Sequence, residues 1–309
     1  MILLCGIPSE SPMALVREAL DESGAPYVFF NQRHFADAEF DFEIRDGRAD
    51  GRFKINGDTY ALSDFKAVFP RMMDDRYLPE LSGEPNSSPK RRACRALHDA
   101  IHRWTEVTDA RVVNRSGPMS SNFSKPYQTQ LIQSYGFLIP ETLITTDPAL
   151  VREFRERHGR VIFKSISGVR SIVRTLEDDD VKRLNLIRLC PTQFQAFVEG
   201  TNVRVHTVGG EVFATAISTD ATDYRYAHRQ TGDAADLREV ELSDRLAEKC
   251  LALARGLGLD FAGIDLKVTP DDRVYCFEVN PSPAFSYYEG NTGQPISRAV
   301  ARYLAAAVN

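Results

Sequence analysis

The stretch GIDLKVTPDDRVYCFEVNPSPAFSYYE, residues 263–289, places Asp265, Glu278 and Asn280 within or beside apolar runs. An acid in the middle of an apolar run is costly unless it is paired or bound to a metal. Both runs here carry one. Phe261–Val268 and Val274–Val279 are joined by Pro270-Asp271-Asp272 and read as an antiparallel pair of strands. Residues two apart on a strand share a face, so Glu278 and Asn280 project together, and Asp265 can face them from the partner strand. Three hard oxygen ligands, with no thiolate or imidazole, suit Mg²⁺ shared with substrate phosphates. The plain alternative is a hairpin whose acids face water.

Other residues could work with such an ion. Lys164 ends an apolar run and points into the loop 165–171, which includes Ser167 and Gly168. A loop of this kind can offer backbone N–H groups and hydroxyls to phosphate, with the lysine as a point charge. Lys125 follows Asn122-Phe123-Ser124 at a helix start, where the dipole favours anions. The run from Gln193 to Glu199 is apolar with polar insertions, and its backbone could bond a purine edge. Arg204, and Arg225 within Asp223–Tyr226, supply guanidinium groups suited to phosphate or carboxylate. Taken singly, these also read as an ordinary turn, a solvated lysine, a half-buried strand and charged surface. His98 and His102 are spaced as a zinc pair, but there is no HExxH and no third ligand nearby. Hydrolysis by a serine triad lacks a GxSxG elbow.

The elements that must position these residues follow from periodicity and punctuation. Ile2–Cys5, a helix opening at Ser11-Pro12 and closing at Gly24, and Tyr27–Phe30 form a βαβ unit, which implies a parallel sheet. Phe40–Tyr60, with Asp46-Gly47 and Asn56-Gly57, predicts a small antiparallel decoration. Ala67–Phe69 is a third sheet strand. Arg71, just past it, is a candidate substrate contact by the switch-point rule, or a surface arginine. Leu78–Arg91 reads as an exposed loop. The helix after it carries Trp104, expected in the core. Strand Val112-Val113 ends the first unit. A middle stretch of short helices and strands, with Asp147 capping a helix at Pro148, reads as a small α+β module. A hairpin at Val203–Val208 and Val212–Ile217, a helix at Leu242–Leu257 and a helical tail at Ile296–Val308 complete the chain.

Composition bounds the partners. With 309 residues, 43% hydrophobic and 26% charged, the chain is an ordinary globular sequence long enough for two or three units. A formal net charge of −5 argues against a nucleic-acid surface. No run reaches the length of a membrane span, and MILLCGIPSE lacks a signal-peptide pattern. Five scattered cysteines without CxxC spacing fit a reducing, cytoplasmic setting.

The order of these motifs resembles the ATP-grasp superfamily. It runs Lys125, Lys164 with its Ser/Gly loop, Gln195-Ala196-Phe197-Val198-Glu199-Gly200, Arg204, Gly263-Ile264-Asp265 and Glu278-Val279-Asn280-Pro281. Within the superfamily the chain looks closest to the ribosomal-protein glutamate ligases, glutathione synthetase and the peptide-macrocyclising ligases. The resemblance covers roughly residues 112–290, and FEVNPSPAFSYYE with GIDLK upstream is its most specific part.

The resemblance implies an α/β fold with an α+β lid. Residues 1–113 would form an N-terminal parallel-sheet domain, 114–198 a central lid domain and 199–309 a C-terminal antiparallel-sheet domain, with ATP between the last two. It implies that Lys125 and Lys164 contact phosphates and that Ser167 and Gly168 lie in a mobile loop over the γ-phosphate. Gln195, Ala196, Phe197 and Val198 would form the hinge that reads adenine. Glu199 or Asn202 would hold the ribose, and Lys267 is counted with the nucleotide-binding set. Asp265, Glu278 and Asn280 would hold two Mg²⁺ ions, with Mn²⁺ as a substitute. Arg204, Arg225 and Lys164 would act at the transferred phosphate and acyl group. The implied activity is ATP-dependent ligation of a carboxylate to an amine through an acylphosphate. Expected partners are small-molecule or peptide carboxylates and amines, with homo-oligomers left open. Two alternatives are a maturase that crosslinks side chains of a ribosomal peptide, and a nucleotide-binding protein without ligase activity. Asn202 stands where relatives are often acidic, Ala284 where many have glycine, and the lid loop is poor in glycine.

Overall fold

The computed structural model describes residues 1–166, 173–219 and 235–308. The chain opens with β1 (Ile2–Gly6), a helix at Ser11–Ser23 and β2 (Tyr27–Asn31). β3 (Glu39–Arg45), β4 (Arg48–Ile55) and β5 (Asp58–Ala61) follow, then β6 (Ala67–Arg71), a helix at Pro89–Val107 and β7 (Arg111–Val112). The first sheet is parallel throughout, in the order β2-β1-β6-β7. Its central strand β1 is buried at every residue. That is why it reads as an unbroken apolar run: both faces of a parallel sheet are covered. The helix at Ser11–Ser23 stops at Gly24, whose φ of 66° is left-handed.

β3, β4 and β5 form the expected antiparallel sheet. Both of its turns, Asp46-Gly47 and Asn56-Gly57, have positive φ at both central residues. That is the primed geometry which matches strand twist. Phe40 and Phe53 pack near Trp104, which is fully buried. Leu78–Arg91 is more tightly held than its Pro/Ser/charge content suggests. Leu78 and Leu81 are buried, and Arg91 reaches the Asp75 carboxylate at 2.6 Å and the carbonyl of Leu81 at 2.8 Å.

The second sheet holds β8 (Thr142–Thr145), β9 (Val161–Ser165), β10 (Arg174–Thr175) and β11 (Thr192–Ala196), antiparallel in the order β10-β9-β11-β8. Phe194 packs with Val151 and Phe154 of the helix Pro148–His158, which Asp147 caps as expected. Strand alternation therefore turns Gln193 and Gln195 to the other face.

The third sheet is antiparallel. It consists of β12 (Thr201–Val208), β13 (Glu211–Ser218), β14 (Asp236–Val240), β15 (Phe261–Val268) and β16 (Val274–Asn280), in the order β14-β13-β12-β15-β16. Val203, Val205, Ile264, Leu266 and Val279 cluster with Cys250, Leu253 and Ala254 of the helix Asp244–Gly256. The apolar alternates face that helix, so Arg204, Asp265 and Glu278 occupy the opposite face. The tail helix, Ile296–Ala305, returns to the first sheet. Ile296, Val300 and Leu304 share a core with Ile2, Leu4, Met13 and Phe69. Among the described residues, no helix is long and apolar enough to cross a membrane.

Candidate active site

The backbone register builds the site. Asp265 on β15 pairs with Glu278 on β16, and Gly263 pairs with Asn280. On the other side of β15, Arg204 pairs with Asp265, and Asn202 with Lys267. Cross-strand partners share a face, so Arg204, Asp265 and Glu278 form one row across three strands. The register shifts between Asp265 and Leu266, because Leu266 pairs with Cys276 and leaves Phe277 as the extra residue. Bulges of this kind re-aim side chains beside functional sites.

Each acid of the row has a cation. Arg204 Nη1 donates to Asp265 Oδ1 at 2.7 Å, and Lys125 Nζ donates to Glu278 Oε1 at 2.6 Å. Arg204 is buried, lies 5.5 Å from the Tyr288 ring centroid and approaches His206 Nε2 with its Nε at 3.4 Å. A Cβ on Gly263 would overlap the Arg204 guanidinium. Glycine at that position is what lets the arginine lie against the sheet.

Two amides hold the acid-bearing strands from outside. Gln128 donates from Nε2 to the Val279 carbonyl at 2.8 Å and accepts from the Val279 N–H at 3.0 Å. Val279 lies between Glu278 and Asn280, so this side chain pairs the edge of β16 at the residue that flanks both. Asn114 donates to the carbonyls of Phe261 and Pro281, both at 2.6 Å, and accepts from the N–H groups of Asp260 and Phe261. It ties the start of β15 to the exit of β16.

A cleft runs between the second and third sheets. Its lining includes Ile162, Lys164, Gln195, Phe197, Val198, Asn202, Ile217, Asp265, Lys267, Phe277 and Glu278. Lys164 and the two acids thus share one cleft with Gln195, Phe197 and Val198. Gln195 donates to Thr142 Oγ1 at 3.0 Å, while its Oε1 is buried without a partner. A buried acceptor facing a cleft is suited to an amino group on a planar heterocycle. The Phe197 ring has Arg160 at 3.7 Å and Lys267 at 5.1 Å from its centroid. Burial, then the nearby Arg160, lowers the Lys267 pKa from its ordinary value, against an opposing pull from Glu199.

Of the remaining expected residues, Ala196 is half-buried and Glu199 exposed, and neither appears in the cleft lining. Lys125 meets the site through Glu278. Ser167, Gly168 and Arg225 lie outside the described residues. Among the described residues, no three His, Cys, Asp or Glu side chains cluster as a metal site. The oxygen groups available beside one another are the two carboxylates and, two residues from Glu278 on the same strand, the Asn280 amide. An ion held there needs further oxygens, and phosphates lying in the same cleft would supply them.

Sequence reasoning missed Gln128, Asn114 and His206 as parts of the site, and named Gly263 only within the motif Gly263-Ile264-Asp265. Gln128 lies three residues past Lys125, on one helix face with it, which is the only local hint. Arg71 is held by protein partners and is not a solvated surface arginine. Its side chain is 8% exposed, donates from Nε and Nη2 to Glu10, and donates from Nη1 to Ser282 Oγ at 2.9 Å and the Pro283 carbonyl at 3.4 Å. It anchors the turn after Asn280 to the first sheet.

Comparisons with known proteins bear on the family and the fold. Residues 125–304 match the family model described as a RimK-like ATP-grasp domain. A probable alpha-L-glutamate ligase of Histophilus somni (strain 2336) is 23% identical over 258 residues, covering 79% of each chain. A D-alanine–D-alanine ligase of Aquifex aeolicus is 27% identical over 175 residues, covering 53% of this chain and 60% of that one. Among solved structures, ATP-grasp ligase PsnB complexed with minimal precursor, Mg and ADP superposes with a TM-score of 0.79 at 26% identity. That match covers 100% of this chain and 97% of PsnB. A Chryseobacterium gregarium RiPP-associated ATP-grasp ligase, in complex with ADP and a leader and core peptide, gives a TM-score of 0.82 at 23% identity. It covers 98% and 96% of the two chains.

Proposed function

This chain belongs to the RimK-like ATP-grasp family, and on that premise we propose that it activates a carboxylate with ATP and joins it to an amine through an acylphosphate. It is an ATP-dependent ligase of the ATP-grasp fold. The observation that carries the reading is the pair Asp265 and Glu278, held by Arg204 and Lys125 and lining one cleft with Lys164, Gln195, Phe197 and Val198.

In this reading ATP is a substrate lying between the second and third sheets. Gln195 Oε1 receives the adenine amino group, and the backbone of Ala196, Phe197 and Val198 reads the ring edge. Glu199 or Asn202 takes the ribose, with Asn202 favoured because it lines the cleft. Lys164, Lys125 and Lys267 meet the phosphates, and Ser167 and Gly168 belong to the same set. Asp265, Glu278 and Asn280 would hold Mg²⁺, as two ions, with Mn²⁺ able to replace it. The metal, when bound, supplies charge neutralisation between the phosphates. Arg204 and Arg225 orient and neutralise the transferred phosphoryl group and the acyl oxygen. Transfer to the carboxylate leaves ADP, attack by the amine expels phosphate, and no covalent bond to the protein forms.

The three units 1–113, 114–198 and 199–309 are our division of the chain, with the hinge at the second boundary. We place the protein in the cytoplasm, where thiols such as the exposed Cys190 stay reduced. A peptide substrate is the second reading. It is favoured by near-complete superposition on structures solved with precursor peptides. The experiment for both is ADP release from Mg·ATP with L-glutamate, and with Asp- and Glu-containing peptides, as the supplied acids. Acid-dependent ADP release supports the ligase reading. ATP consumption that ignores every acid and amine contradicts it.

A further inference from the structure

We infer that His206 is a positioning residue for Arg204. It holds the guanidinium in the orientation the acyl-transfer site needs. The inference rests on the reading of Arg204 given above.

His206 is on β12, two residues from Arg204, and is fully buried. Strand spacing puts both side chains on the same face. Its backbone pairs with Gly263, the residue over which the Arg204 guanidinium lies. Arg204 Nε donates to His206 Nε2 at 3.4 Å. An acceptor at Nε2 fixes the neutral tautomer with the proton on Nδ1. The imidazole meets the Tyr288 ring at 4.9 Å, tilted by 66°, and the same ring lies 5.5 Å from Arg204 Cζ. Tyr288 therefore touches both members of the pair. Asp265 holds a different nitrogen, Nη1, at 2.7 Å. A planar guanidinium fixed at Nε and at Nη1, with glycine beneath it, has its plane determined.

A purely structural role does not account for histidine here. His206 Nδ1 is buried without a partner. A buried donor left unmade destabilises a fold. The surroundings include Phe261, at 6.4 Å, and Tyr288, and a phenylalanine or leucine would fill them with no orphaned nitrogen. What an apolar residue cannot supply is an uncharged acceptor for Arg204 Nε.

The test compares His206→Gln, His206→Leu and Arg204→Lys, with kcat, the KM for ATP and the melting temperature read for each. Gln carries an acceptor near the Nε2 position, and Leu does not. The expected result is that His206→Leu loses about 100-fold in kcat, the scale of a misplaced catalytic group, with the KM for ATP little changed. His206→Gln should recover most of that loss. In the double variant Arg204→Lys/His206→Leu the losses should fall well short of multiplying, because His206 acts through Arg204. Equal kcat in the Leu and Gln variants, or fully multiplicative losses, would overturn the inference. If Arg204→Lys itself keeps wild-type kcat, the reading of Arg204 fails instead, so the two failures are separable.

Discussion

Lys125 Nζ lies 2.6 Å from Glu278 Oε1, joining the first residue of a helix to the edge strand of the third sheet. One strand further in, Arg204 stands in the same relation to Asp265 at 2.7 Å. Two carboxylates on adjacent strands repel, and each is balanced here by a cation from elsewhere. In the proposed function these two cations would also face the polyphosphate of ATP, so each would serve both its acid and the incoming anion.

Lys125→Met tests that double role. Both partners are partly shielded from water, so losing the lysine should cost about 1–3 kcal/mol of stability. It should also raise the KM for ATP by roughly tenfold, the loss of one charge-assisted contact. Denaturant melts and steady-state kinetics read the two effects separately. An unchanged KM would show that Lys125 serves the fold alone.

Asp265→Asn and Glu278→Gln keep the shape of the side chains and remove their charge. Each should reduce acid-dependent ADP release by on the order of 10³-fold, matching the several kcal/mol that metal coordination contributes. Circular dichroism should remain that of the wild type. Wild-type turnover by either variant would remove the basis for placing the metal there.

Gln128→Leu removes both hydrogen bonds to Val279. It leaves a buried N–H and C=O unpaired, at a cost of about 1–3 kcal/mol each. The strand bearing Glu278 and Asn280 should loosen, and half-maximal activity should then need more Mg²⁺. A variant that melts at a lower temperature with an unchanged Mg²⁺ requirement would confine Gln128 to stability.

His98 gives the fold a pH dependence away from the site. Burial, then the neighbouring His102, depresses its pKa from 6.5 to about 4. Below pH 6.5 the unfolded chain binds a proton that the folded chain refuses. Stability is therefore fully present above 6.5 and falls as pH drops toward 4, by about 3 kcal/mol in all. His98→Gln should flatten that part of the denaturation profile. A profile identical to wild type between pH 6.5 and 4 would contradict the assignment.

The acid-bearing hairpin was legible because it is local. The alternation around Asp265 and Glu278 and the Pro270-Asp271-Asp272 turn fix two strands with no help from the rest of the chain. The cap at Asp147 and the two turns of the β3–β5 sheet were legible for the same reason. Gln128, Asn114 and Arg71 were not. Their partners Val279, Phe261 and Ser282 are more than 140 residues away, and a polar side chain that satisfies backbone leaves no periodic trace. The segment 78–91 is mostly exposed, as its charges suggested, yet it is anchored where Leu78, Leu81 and Arg91 are buried, the last against Asp75. His206 was hidden inside an apolar alternation that reads as strand whatever its third polar residue does. The tail helix was visible as a helix, but its packing on β1 and β6 is a long-range outcome.

The central claim is that the carboxylate itself attacks the γ-phosphoryl group of ATP. The direct measurement uses an acid that supports ADP release, labelled with oxygen-18 in its carboxylate, with Mg·ATP and an amine acceptor. The account predicts ADP and inorganic phosphate carrying one labelled oxygen, since the acyl oxygen leaves with the phosphate. Unlabelled phosphate, or AMP with pyrophosphate in place of ADP, would contradict it.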